Sequence, residues 1–226
     1  MEAVFSLPVF GILLTIACYS AGLFIRSKIH SPLTHPFLIA NILIILIVLF
    51  TPVTLEQYLA GGNFVMMFIV PVTVIFAMYI YNQRSLLKAN IIPVLGGCIL
   101  GSSASLFSVW ILCRLFSIER IITLSIMPKS VTTAIAMELS VMSGGLHSLA
   151  AAGVLFTGIT SAAFAPFFVR IFKLKDPVAA GVAFGTSGHA LGTASAIELG
   201  ETQGAMSSLA TGITGIVTSV IYLFLF

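Results

Sequence analysis

PKSVTTAIAMELSVMSGGLHSLA (128–150) and GHALGTASAIELGETQGAMSSLA (188–210) lie over one another when the chain is shifted by 60 residues. Nine of the 23 positions are identical without a gap, among them the pairs Thr133/Thr193, Glu138/Glu198, Gly144/Gly204 and Ala150/Ala210. Ala, Gly, Ser and Leu recur easily in an apolar chain. A paired Glu and a paired Thr at fixed spacing do not, so the reading is an internal repeat. Both copies fall in apolar stretches interrupted at matching places, by Pro128-Lys129 in Ile121–Met142 and by Gly185-Thr186-Ser187-Gly188-His189 in Val178–Gly200. Paired, broken apolar segments are the sequence pattern of membrane carriers built from repeats.

The surrounding composition fixes the solvent. Only 17 of 226 residues are Asp, Glu, Lys or Arg, and 59% are apolar, where a soluble domain carries about 25% charge. So few charges exclude a soluble enzyme, a nucleic-acid binder and a secreted disulfide scaffold. The three cysteines (Cys18, Cys98, Cys113) have no CxxC or metal-ligand spacing and read as small core residues. His30, His35 and His147 likewise show no metal spacing. No metal, cofactor or nucleic-acid partner is expected, and no nucleophile elbow, phosphate loop or HExxH pattern points to an enzyme.

Outward from the repeat, six further segments are long enough to cross a bilayer, which takes ~20 residues: Val4–Ile25, Phe37–Val53, Phe64–Tyr81 with Pro71 inside it, Ile91–Cys113, Ser148–Val169 and Ala205–Phe226. The first, lacking a basic n-region, reads as a retained span. Gly96, Gly97, Gly101 and Ser102 give Ile91–Cys113 a small-residue face for close packing. The expectation is an all-α polytopic membrane protein with about six full spans plus two broken or re-entrant segments, residues 1–117 forming a scaffold and 118–226 the repeat-containing region. The alternative is eight spans with two of them unwound. Loop charges bear on the choice. With eight crossings, loop Lys and Arg divide 4 (Arg26, Lys28, Arg84, Lys88) against 5 (Arg114, Arg120, Arg170, Lys173, Lys175). If both broken segments return to the side they entered from, the split is 7 against 2, as positive-inside bias favours.

In the re-entrant reading the tips lie at Lys129–Thr133 and His189–Thr193. Thr133 and Thr193, preceded by Thr132 and Gly192, would cap half-helices and aim backbone N–H groups at the bilayer middle. Lys129 and His189, equivalent in the repeat, stand four residues earlier, with Ser130 beside the first. Such a site would take a small carboxylate. The alternatives are a Lys129 snorkelling to the interface and a His189 that is a hydrogen-bonded core residue. Glu138 and Glu198 are candidates for coupling to H+ or Na+, because an ionisable group in apolar sequence is costly. The alternative places both near arm ends, facing head groups or pairing with Lys129.

The strings PKSVTTAIAMELS (128–140), KDPVAAGVAFGTSGHALGTASAIELGETQGAMSSLA (175–210) and TGI (157–159) resemble the LrgB/CidB family of bacterial membrane proteins, strongly from about Ile91 onward and more loosely before it. The family pattern has Pro where Ala134 stands, which would favour the first turn of a helix. The resemblance implies one of two roles. One is holin- or antiholin-like control of murein hydrolase activity and lysis. The other is transport of pyruvate, glycolate or glycerate across the bacterial cell membrane. Either comes with a small LrgA-type membrane partner, and glycine-rich faces leave room for homo-oligomers. The repeated, broken, charged segments favour the carrier.

Overall fold

The computed structural model describes residues 7–29 and 34–225. The expected start of the first span at Val4, part of the loop with His30, and the chain end at Phe226 lie outside them. All regular structure among the described residues is helical. Three helices are long and apolar enough to cross a membrane: α1 (Pro8–Lys28), α6 (Ile91–Leu115) and α12 (Glu201–Leu225). Among the described residues one bent pair, α9 (His147–Ala163) and α10 (Ala165–Ile171), meets the same measure when taken together, with a bend of 65° at Phe164. The bend interrupts the uniform span expected over Ser148–Val169. Pro166, in the first turn of α10, supplies the cause: it has no N–H to bond and its ring crowds the carbonyl four residues back.

The chain divides into two compact units, Met1–Ile75 and Phe76–Phe226. The division lies before the boundary expected at 117/118, and Ile91–Leu115 falls in the second unit. The first unit contains α1, α2 (Pro36–Phe50), α3 (Leu55–Met66) and the start of α4 (Ile69–Asn82). Glycines set its close contacts. A Cβ on Gly11 would sit 2.5 Å from the Tyr58 carbonyl, and one on Gly22 would sit 2.6 Å from the Pro36 carbonyl. Thr54 opens α3 with a capping box, in which the Gln57 N–H donates to its hydroxyl at 3.3 Å and its own N–H donates to the Gln57 side chain at 2.9 Å. Instead of a single kinked span over Phe64–Tyr81, the chain breaks at Met67-Phe68. Pro71 then falls in the first turn of α4, where a missing N–H costs nothing.

The second unit is built on α6 and α12. Val94 and Cys98 of α6, Met206 and Ala210 of α12, and Val178 and Val182 of α11 (Pro177–Leu199) form one buried cluster. Leu106, Val109 and Cys113 meet Met127, Leu139 and Tyr222 in a second. Cys18, Cys98 and Cys113 are buried free thiols. A short α5 (Arg84–Ala89) precedes α6.

Both interrupted segments double back. The first runs through α7 (Arg120–Ile126), a turn over 127–132 and α8 (Thr133–Met142). A continuous helix would hold Ser125 and Leu146 roughly 31 Å apart, yet the Leu146 N–H donates to the Ser125 hydroxyl at 2.7 Å. The second segment is broken inside α11 at His189, whose φ of 42° and ψ of −131° leave helical space. Phe184 and Ala196 share a buried cluster, although twelve residues of helix span roughly 18 Å. The Phe184 carbonyl occupies the place a Cβ on Gly192 would take, so only glycine lets the arms touch there. Gly181 and Gly185 do the same on the α12 side, against the Gln203 and Ser207 carbonyls.

Candidate functional site

A cavity of about 850 Å³ lies within the Phe76–Phe226 unit. One wall is α6 from Asn90 to Ser108, with Gly97, Gly101 and Ser105 along it. The facing wall is the first arm of α11, from Val178 to Ser187. Gly97 and Gly101 are the notches that let this arm approach, since Cβ atoms there would meet Val182 at 3.0 Å and Thr186 at 2.5 Å. The end is closed by Lys129 and Ser130 from the turn before α8 and by Thr157 of α9.

That end is polar and ordered by hydrogen bonds. The Ser130 and Ser105 hydroxyls are paired at 2.8 Å, and the Lys129 ammonium donates to the Ser130 hydroxyl at 3.4 Å. Lys129 is the one cation among the lining residues. Their one anion, Asp176, lies at the far end of the α11 wall, roughly 16 Å of helix from Ser187. Its carboxylate accepts the Ala179 N–H at 3.0 Å and caps α11, so it is engaged there. The result is an apolar trough with a single charge and several hydroxyls at one end, which suits one small anion.

Both turns reach the middle of α9. A Cβ on Gly153 would lie 3.7 Å from that of Lys129. One residue on, the Val154 carbonyl is 3.1 Å from His189 Nε2, whose ring packs on Gly158. The turns equivalent by the sixty-residue shift therefore meet on adjacent positions of one helix.

Of the candidate binding and coupling residues, Lys129 and Ser130 line the cavity and the others do not. His189 is buried and bonded to α9, the core role weighed above. Thr132, not Thr133, occupies the cap of α8, and its side chain makes no capping bond. Thr193 is no cap at all. Its fully buried hydroxyl pairs with those of Ser207 at 2.9 Å and Thr211 at 3.0 Å, holding α11 to α12. Gly192 serves the crossing at Phe184. Glu138, midway along α8, and Glu198, one residue from the end of α11, are exposed and stand outside the cavity. Ser105, Ser108, Thr157, Thr186 and Ser187 supply the other hydroxyls of the lining. Ser105 and Ser108 share a helical face with Gly101, a spacing visible in the sequence but indistinguishable from a packing stripe.

The fold and site define a polytopic helical membrane protein with two doubled-back segments beside a cavity that holds one lysine at its polar end. The chain belongs to the LrgB-like family, whose model matches residues 15–226. It is 35% identical over 222 residues to the antiholin-like protein LrgB of Bacillus subtilis, covering 98% of this chain and 96% of that protein. It is 35% identical over 216 residues to the proteins of the same name from Bacillus mycoides and Bacillus cereus, covering 95% of this chain and 94% of each relative. No solved structure matches it.

Proposed function

We propose that this protein is a secondary carrier of a small monocarboxylate, of the pyruvate, glycolate or glycerate type, across the bacterial cell membrane. The observation that carries this reading is the cavity of about 850 Å³ with Lys129 as its single cation, at the end where the two doubled-back segments meet. A monoanion of that size is matched by one ammonium and the hydroxyls of Ser105, Ser130 and Thr157, and a dianion would leave a charge uncompensated. Re-entry of both segments from opposite faces is part of the proposal, supported by the loop charges divided 7 against 2. The Asn90 and Asp176 end then faces the cytoplasm. Coupling to H+ or Na+ belongs to the same proposal, with Glu138 and Glu198 acting from outside the cavity, as does a small LrgA-like partner. No catalytic group or cofactor is invoked.

The relatives' name favours a second reading, an antiholin-like regulator of lysis without a specific substrate. Uptake of radiolabelled pyruvate and glycolate into proteoliposomes, with and without the partner, separates the two. Saturable uptake is the result expected of a carrier. Absence of uptake of any small acid, together with altered lysis in cells lacking the protein, would leave the regulator.

A further inference from the structure

A second cavity, of about 400 Å³, sits at the C-terminal end of α6. Trp110 and Arg114 of α6 form one side of it, and Ile118, Arg120 and Thr123 at the start of the first interrupted segment form another. The Arg114 guanidinium lies over Trp110, 5.5 Å from the ring centroid. Neither arginine is ion-paired among the described residues. Two like charges on so small a cavity raise its potential, and an oxyanion between them relieves that repulsion. Guanidinium forks match a carboxylate in two parallel hydrogen bonds.

Its place in the fold gives the site a meaning. The two cavities lie along successive stretches of α6, Pro93–Ser108 and Trp110–Arg114. Between them stands the buried cluster of Leu106, Val109, Met127, Leu139 and Tyr222. Tyr222 closes it, donating to the Leu124 carbonyl at 2.8 Å and pairing with the Ser143 hydroxyl at 2.7 Å.

We propose that Arg114 and Arg120 form a second oxyanion site, separated from the Lys129 cavity by that cluster, which takes a small carboxylate at the opposite mouth of the same path. The identity of the anion rests on the carrier reading. The site has its own reporter, because Trp110 is the chain's single tryptophan. Glycolate titrated into the full-length protein in uncharged detergent, against sodium chloride of equal ionic strength, is expected to change Trp110 fluorescence saturably. The midpoint should weaken at least tenfold in both Arg114→Gln and Arg120→Gln and recover in part with Lys at either position, and the response should persist in Lys129→Gln. Both arginines are exposed, so the substitutions leave the buried core unchanged, and thermal midpoints within a few degrees of wild type are the check. A silent Trp110, a response indifferent to both Gln variants, or a response to short-chain phosphatidylglycerol alone would overturn the proposal. Parallel glycolate uptake keeps the two ideas apart. Uptake with a silent Trp110 and unchanged arginine variants removes this site and leaves the carrier; a saturable Trp110 response without uptake of any acid removes the carrier and leaves an anion site.

Discussion

Lys129 is where residue chemistry decides most. An ammonium at the end of an apolar trough is costly unless a ligand or hydroxyls compensate it, and its nearest polar neighbour, Ser130, already shares its hydroxyl with Ser105. Lys129→Gln should therefore raise the KM for glycolate or pyruvate at least tenfold, about 1.4 kcal/mol, with Lys129→Arg recovering part of it. Thr193 predicts the opposite pattern. Its hydroxyl joins Ser207 and Thr211, so Thr193→Val should cost about 1–3 kcal/mol of stability, seen as a lower thermal midpoint, with KM changed less than twofold. The sixty-residue likeness set Lys129 beside His189, and of the two Lys129 lines the cavity while His189 bonds to α9. The role of Thr193 was not legible, because an extended cap was expected there. The strained backbone of His189 restarts the helix earlier and leaves Thr193 inside it. A side chain in that φ region is costly outside glycine; the Val154 carbonyl and Gly158 hold it in place.

Among the elements, the doubled-back arms depend on glycine. Gly192→Ala and Gly185→Ala each drive a methyl into a backbone carbonyl, and each should cost about 1–3 kcal/mol. Gly96→Ala makes the control, having nothing within 4 Å; helix propensity alone predicts a stabilisation of up to about 1 kcal/mol. Differential scanning of the three variants in one detergent compares them directly. Topology gives a separate test. With the native cysteines replaced, Arg120→Cys and Ser143→Cys should react with an impermeant maleimide from the same face of the membrane, and from opposite faces if that segment crosses. The interruptions were legible because Pro128-Lys129 and the Gly185–His189 run break apolar sequence. The bend at Phe164 and the break at Met67-Phe68 were not, since a proline inside an apolar stretch does not say whether the helix kinks, restarts or ends.

At the scale of the molecule, scarcity of charge identified lipid as the solvent, and the exceptional charges located the site only in part. Lys129 lies on the larger cavity, whereas Glu138 and Glu198 are exposed beyond it. What the sequence hid is the partnership of α6. Its glycines and serines read as a packing face, and two of them, Gly97 and Gly101, do pack, but against the first arm of α11 eighty-five residues later, and the space left over is the cavity. Contacts at that separation leave no local trace. The account stands or falls on whether this cavity handles a small acid. Uptake of radiolabelled glycolate and pyruvate into proteoliposomes, wild type beside Lys129→Gln and with the small membrane partner present, is the direct measurement. The account predicts saturable uptake by the wild type and at least a tenfold loss of uptake at low substrate concentration in the variant. Uptake equal in the two, or none of either acid by the wild type, would contradict it.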